Sequence, residues 1–273
     1  MRIADALHHA RTLGVDRLDA QLLLADLLGQ PRSWLLAHDD VLLNTAQSHT
    51  LLQQLTRRAT GEPLAYVLGH AEFRGLRLQV SPAVLVPRPE TEVLVEWALE
   101  HLPADTAVDV LDLGTGSGAI ALALKQARPR ARLCASDAST EALAVARANG
   151  QHHGLDVEWL PGDWWAPLAG RRFALVVCNP PYVAGDDPHL GALGHEPRDA
   201  LTPGGDGLTA LRDIVAGAPA HLRPGGWLLL EHGHDQAGAV QALLVAAGFA
   251  PSETRADLAG LPRCTGARWP NAK

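Results

Sequence analysis

Asn179-Pro180-Pro181-Tyr182, directly after the apolar run FALVVC, combines residue types that rarely serve packing alone. Two consecutive prolines fix the backbone and remove two N–H donors, so the main chain there can only accept hydrogen bonds. The Asn179 side-chain oxygen and the Pro180 carbonyl make a pair of acceptors, matched to a planar NH2 group that offers two donors in one plane. Tyr182 can cover the face of such a group. A bare Asn-Pro turn would need none of this. The chemistry that needs it is alkylation of an amide or exocyclic amino nitrogen, a poor nucleophile whose lone pair is delocalised. Acceptors on both N–H bonds stabilise the positive charge that develops on nitrogen in the transition state.

A second cluster says what the alkyl donor is. Asp112-Leu113-Gly114-Thr115-Gly116-Ser117-Gly118 follows the run VDVLDL and opens a helical pattern. Its glycines permit a tight turn and close approach of backbone to a ligand. The spacing alone also fits a dinucleotide-binding fingerprint. Asp112, two residues before the first glycine, suits the cationic amino group of a methionine moiety and would repel a pyrophosphate. Asp137 ends the next strand, 19 residues after Gly118, where it can accept from ribose hydroxyls; both ligand classes use such an acid. Gly162-Asp163-Trp164-Trp165 follows the third strand, with Asp163 able to accept from an adenine amine and Trp164 to stack on the ring. The expected methyl donor is S-adenosylmethionine, whose sulfonium supplies the electrophile, so that the protein mainly aligns the reacting atoms. The expected cofactor residues are Gly114, Thr115, Gly116, Ser117, Gly118, Asp137, Asp163, Trp164 and Asn179, and the expected catalytic residues Asn179, Pro180, Pro181 and Tyr182. No metal is expected, because His232-Gly233-His234 has no third ligand in sight.

These residues need a scaffold. From Val108 onward short apolar runs (VDVLDL, RLCASD, DVEWLP, FALVVC, GGWLLLEH) alternate with amphipathic helical segments, the pattern of a parallel, doubly wound α/β sheet. GFAPSETRA and PRCTGARW close it as an antiparallel pair. Asn179 then sits at the carboxyl end of a central strand, in the crevice where open sheets bind ligands. Residues 1–71 instead show helical periodicity: Ile3, Ala6, Leu7 and Ala10 form one stripe and Leu18, Leu22, Ala25 and Leu28 another, with Gly14 and Gly29 as stops. Asn44 and Gln47 resemble a capping box. Between the two regions, residues 72–88 change to period two. Leu76, Leu78 and Val80 alternate, Ser81-Pro82 turns, and Val84 and Val86 resume, which predicts a β-hairpin linker before a catalytic domain over 89–273.

Composition narrows the partner. The formal charge of −7 falls almost wholly on residues 76–273, at −6, which disfavours a phosphate backbone and predicts no stable nucleic acid binding. Three widely spaced cysteines without a C-x-x-C pair suit a reducing compartment. No segment reaches 18 uninterrupted apolar residues, and the opening residues carry no signal-peptide pattern, so a cytoplasmic protein without a membrane partner is expected.

Taken together the motifs resemble the peptide chain release factor glutamine N5-methyltransferases, the HemK/PrmC family. The likeness rests on RRATGEPLAYVLGHAEFRGLRLQVSPAVLVPRPETE (57–92), DLGTGSGAIALAL, NPPYV, HEPRDAL, GGDGL and LLLEHG, and covers nearly the whole chain. It implies a small N-terminal helical bundle, a hairpin linker and a Rossmann-like class I methyltransferase sheet. By position it implies cofactor contacts at Gly114 to Gly118, Asp137, Trp164 and Asn179, with the substrate amide held by Asn179 to Tyr182. The implied substrate is the glutamine of the Gly-Gly-Gln motif in class 1 release factors. A sister family methylates a ribosomal protein glutamine, and DNA amino-methyltransferases carry similar tetrapeptides. VPRPETE favours the release-factor branch, and the acidic charge weighs against DNA.

Overall fold

A computed structural model describes residues 1–271, which divide into two compact units, Met1–His70 and the chain from Ala71 onward. The first unit holds α1 (Ile3–Thr12), α2 (Arg17–Leu28), α3 (Arg32–Ala37), α4 (Thr45–Ala59) and α5 (Leu64–Leu68). Capping sets the ends. The Asp16 carboxylate accepts from the Leu18 N–H at 2.7 Å, and Asn44 and Gln47 satisfy each other's backbone N–H at 2.8 and 2.9 Å. The α1 stripe buries Ile3, Ala6 and Ala10 as its spacing predicts. The stripe expected on α2 is only partly right: Ala25 and Leu28 pack at the edge of the core, but Leu18 is exposed and the buried face is Ala20, Gln21, Leu23 and Leu24. Leucines surround this helix, so periodicity cannot choose a face, and packing against the other helices does.

The hairpin also differs from the expected one. Its strands are β1 (His70–Phe73) and β2 (Leu76–Gln79), and its turn is Arg74-Gly75, not Ser81-Pro82. Both turn residues have positive φ, 48° and 77°, as a two-residue hairpin connection requires. The segment after it carries Pro82, Pro87 and Pro89, which lack the N–H donors of a strand, and it runs as an irregular strap with one turn from Ser81 O to Val84 N. The hairpin is built into the second unit and is no free linker. Phe73, Leu76 and Leu78 are fully buried in one core with Leu94 and Trp97, and the Asn149 amide brackets Gln79, accepting from its N–H at 2.7 Å and donating to its carbonyl at 3.0 Å.

The main sheet comprises β3 (Asp109–Leu113), β4 (Arg132–Asp137), β5 (Glu158–Pro161), β6 (Phe173–Cys178), β7 (Leu222–Glu231), β8 (Glu253–Ala256) and β9 (Pro262–Arg268), in the order β5-β4-β3-β6-β7-β9-β8. The first five pair in parallel, and β9 runs antiparallel to both of its neighbours. The helices are α6 (Thr91–Glu100), α7 (Ala119–Ala127), α8 (Thr140–His153), α9 (Arg198–Leu201), α10 (Thr209–His221) and α11 (Ala237–Ala246). One core packs α6 and α7 against the sheet, a second packs α10 and α11, and this double cover explains why the strands read as continuous apolar runs. The order reverses between β3 and β6, so the loops leaving those two strands flank the switch point where ligands bind in such sheets. No helix among the described residues is long and apolar enough to cross a membrane.

Candidate active site

The glycine loop leaves β3 and folds back on β4. Gly114 N and Thr115 N both donate to the Ser136 carbonyl, at 2.9 and 3.0 Å. Gly114 has φ 69°, and a Cβ there would stand 3.4 Å from the Trp164 ring, so the position is set by both conformation and contact. Trp164 itself lies at φ 38°, a left-handed conformation that costs a bulky residue energy and often marks a functional position. The Asp137 carboxylate accepts from Gly116 N at 2.8 Å and from Ser139 N at 2.9 Å, which leaves further lone pairs on each oxygen. Burial raises its pKa, and these N–H bonds oppose the rise.

Around this loop lies a cavity of about 620 Å³. Gly114, Thr115, Gly116 and Ser117 line it, as do Asp137, Asp163 and Trp164, and Asn179 and Pro181 stand where it meets the β6 loop. Two expected contacts are absent from its walls. Gly118 opens α7 with its Cα directed at Trp159, Leu122 and Ala146, so its lack of a side chain serves packing. Asp112 is completely buried: one oxygen takes the Thr115 hydroxyl at 2.6 Å and Ala121 N at 3.2 Å, and the other has no partner. Burial pushes its pKa up to about 7. Asp112 therefore shapes the loop from behind instead of reaching a ligand's amino group.

A second cavity, of about 280 Å³, adjoins the first and shares Leu85, Arg88, Asn179 and Ala200 with it. Pro180, Tyr182, Glu231 and Arg263 line only this one. Asn179 thus stands between two chambers. Its amide Nδ2 donates to the Thr91 hydroxyl at 3.2 Å, which leaves the amide oxygen for something else. The Tyr182 hydroxyl donates to Glu231 Oε1 at 3.2 Å. Glu231 is buried, and burial raises its carboxyl pKa to about 7 against the opposing pull of the Thr91 and Tyr182 hydroxyls. The loop holding Tyr182 is pinned from outside: Gln236 donates to the Tyr182 carbonyl at 2.9 Å, and a Cβ on Gly207 would stand 2.4 Å from that oxygen. Only glycine fits there.

Several of these residues were not singled out from sequence chemistry. Arg88 and Thr91 lie in VPRPETE and Glu196 in HEPRDAL, stretches that carry the family resemblance but from which no role for these side chains was read. Arg88 pairs with Glu196, which also accepts from Val86 N at 3.1 Å, and this clasp ties the 81–90 strap to the segment entering α9. Glu231 was legible by the rule that finds Asp137: an acid ending a central apolar strand faces the ligand edge of the sheet. His232, by contrast, is buried and bonded to Thr265 Oγ1 at 2.7 Å and to the Gly233 carbonyl at 2.8 Å, so both its nitrogens are occupied.

Residues 91–211 match the methyltransferase small domain family and residues 2–69 the PrmC N-terminal domain family. A release factor glutamine methyltransferase of Burkholderia pseudomallei is 50% identical over 276 residues, which cover 98% of this chain and 97% of that one. The chain belongs to the release factor glutamine methyltransferase family. A second member, from Xylella fastidiosa, is 49% identical over 268 residues, covering 97% of this chain and 98% of its own. Among solved structures, a methyltransferase from Pyrococcus furiosus superposes with a TM-score of 0.55 at 16% identity, covering 84% of this chain and all of that one, and supports the methyltransferase fold.

Proposed function

We propose that this protein transfers a methyl group from S-adenosylmethionine to the side-chain amide nitrogen, N5, of the glutamine in the Gly-Gly-Gln motif of class 1 peptide chain release factors, in the cytoplasm. The observation that carries the reading is the place of Asn179, which lines both chambers with its Nδ2 on the Thr91 hydroxyl and its Oδ1 left to accept from an incoming NH2.

The larger chamber fits the donor. Its volume suits a nucleoside-sized ligand, Asp137 offers carboxylate acceptors for ribose hydroxyls, and Asp163 and Trp164 offer an acceptor and an aromatic face for a purine. When bound, S-adenosylmethionine supplies an electrophilic methyl group on a sulfonium. The chain's own contribution is alignment and charge. Asn179 Oδ1 and the Pro180 carbonyl hold the two amide hydrogens, fixing the plane of the acceptor and drawing positive charge off nitrogen as the new bond forms. Tyr182, anchored by its hydroxyl on Glu231 and its carbonyl on Gln236, closes the side of the smaller chamber and helps exclude water.

Two measurements test this. Incubation with labelled S-adenosylmethionine and a purified release factor should place one methyl group on the Gly-Gly-Gln peptide, mapped by mass spectrometry. Duplex or single-stranded DNA should stay at background, given the −6 charge on residues 76–273. Methylated DNA with steeply salt-dependent binding would instead support an amino-methyltransferase of nucleic acid. In a separate measurement, Asp137→Ala should weaken S-adenosylmethionine binding by about 10-fold or more, the worth of a lost charged hydrogen bond. Calorimetry showing an unchanged Kd would remove Asp137 from the donor site.

A further inference from the structure

The unit from Ala71 onward leaves few large apolar side chains in water. Among its described residues they are Val245 on α11 and the pair Leu258 and Leu261, which share the turn between β8 and β9. Leu258 is completely exposed. A lone surface leucine is ordinary, whereas two held outward on one fixed turn make a candidate contact.

Asp257 fixes this turn. Its N–H donates to the Leu261 carbonyl at 2.8 Å, and Gly260 N, at φ 79°, donates to the Asp257 carbonyl at 2.9 Å. Asp257 Oδ1 accepts from Ala259 N at 2.9 Å and from Leu261 N at 3.0 Å. Its Oδ2 accepts from Arg263 Nε at 3.3 Å and Nη2 at 3.1 Å. Both side chains of this ion pair are largely shielded, at 6% and 15% exposure, which strengthens it over a surface pair. Arg263 in turn lines the smaller chamber with Asn179, Pro180 and Tyr182. The ion pair therefore ties the leucine turn to the wall of that chamber.

The smaller chamber encloses about 280 Å³, room for a side chain and not for a protein. A protein that presents a glutamine to Asn179 must lay its remaining surface against the surroundings of the chamber, where Arg263 anchors the Asp257–Leu261 turn. We propose that Leu258 and Leu261 are a docking contact for the protein substrate and take an apolar patch beside the glutamine that enters the chamber. The identity of that occupant rests on the glutamine-methylation reading above. A second copy of this chain fits less well, because two leucines offer far less than the roughly 800 Å² per partner that a stable interface buries. They suit a local anchor in an interface that the entering glutamine completes. A turn already fixed by its own hydrogen bonds loses little conformational freedom on binding, so the apolar area it presents contributes to affinity.

The test uses the full-length chain, with each variant shown folded by circular dichroism and by an unchanged Kd for S-adenosylmethionine. Leu258→Ser combined with Leu261→Ser should raise KM for intact release factor by about 10-fold or more, while kcat at saturation stays within about two-fold. Leu258→Met combined with Leu261→Met keeps the apolar area and should keep KM within about two-fold of the wild type. A second readout needs no turnover. Cys134, Cys178 and Cys264 are all buried, so in Leu258→Cys a maleimide should react with the introduced thiol alone. Saturating release factor should slow that alkylation by about 10-fold or more, and should leave Val245→Cys, exposed on α11, reacting at its own rate. Unchanged KM in the double serine variant, a loss of kcat in place of a rise in KM, or equal alkylation of Leu258→Cys with and without release factor would overturn the docking contact. Alkylation that slows as the chain alone is concentrated would also overturn it, in favour of self-association. A wild-type chain that binds release factor but methylates no glutamine would count against the proposed reaction, and protection at position 258 but not 245 would still decide the surface.

Discussion

Asn179→Ala should abolish most turnover while leaving the protein folded. The side chain lies at the junction of both chambers and is only partly buried, so truncation removes a contact to ligands more than it removes core packing. The bond it makes to the acceptor N–H strengthens as nitrogen becomes positive, which places the loss in the transition state. Bonds to charged groups are worth about 1.5–3 kcal/mol, or roughly 10- to 150-fold in rate. Equal falls in kcat and kcat/KM would mark an interaction made only in the transition state, and a rise in KM with unchanged kcat would mark plain substrate binding. Asn179→Asp separates orientation from mere size. An aspartate cannot donate to Thr91, and its charge beside Glu231 is unfavourable, so it should be no better than alanine. Wild-type kcat in folded Asn179→Ala would remove Asn179 from the chemistry.

Much of this site was legible in residue types because its parts follow strand ends. Gly114, Asp137, Asp163 and Asn179 each come directly after an apolar run, and a doubly wound sheet sends every such loop to the same edge. What the sequence hid is of two kinds. One is direction: Asp112 and Gly118 belong to the glycine loop by spacing, yet one side chain points inward and the other position faces α8 and β5, and neither follows from a linear motif. The other is convergence from distant segments. Thr91 reaches Asn179 across 88 positions, Glu196 reaches Val86 across 110, and Tyr182 reaches Glu231 across 49. Such contacts need the tertiary fold. The hairpin failed for a different reason. Period-two alternation continues through Val84 and Val86, but strand formation also needs N–H donors and a turn that tolerates positive φ, and Arg74-Gly75 supplies the turn before the prolines remove the donors.

Removing the N-terminal bundle should cost most of kcat/KM on intact release factor and little of the affinity for S-adenosylmethionine. Met1–His70 has its own core, from Ile3 to Leu55 and Val67, and contributes no residue to either chamber. We propose that it docks the protein substrate. One glutamine side chain offers too few atoms to provide specificity, so recognition must draw on surface away from the reacting nitrogen, and binding energy gained there can be used to hold the amide against Asn179. The cut has to respect the hairpin. A fragment starting at Glu72 would split β1 and expose Phe73, Leu76 and Leu78, so it should begin at Gly69. That fragment retains the glycine loop, Asp137, Trp164 and Asn179, and its Kd for S-adenosylmethionine should stay within a few-fold of the full chain, roughly 1 kcal/mol. Its kcat/KM on release factor should fall by about 100-fold or more, the loss of roughly 3 kcal/mol of docking energy. A short glutamine peptide, which has no surface for the bundle to hold, should be an equally poor substrate for both proteins. Cooperative thermal unfolding and retained donor binding establish that the fragment is folded. If such a fragment methylates intact release factor at the full-length rate, the bundle does not dock the substrate.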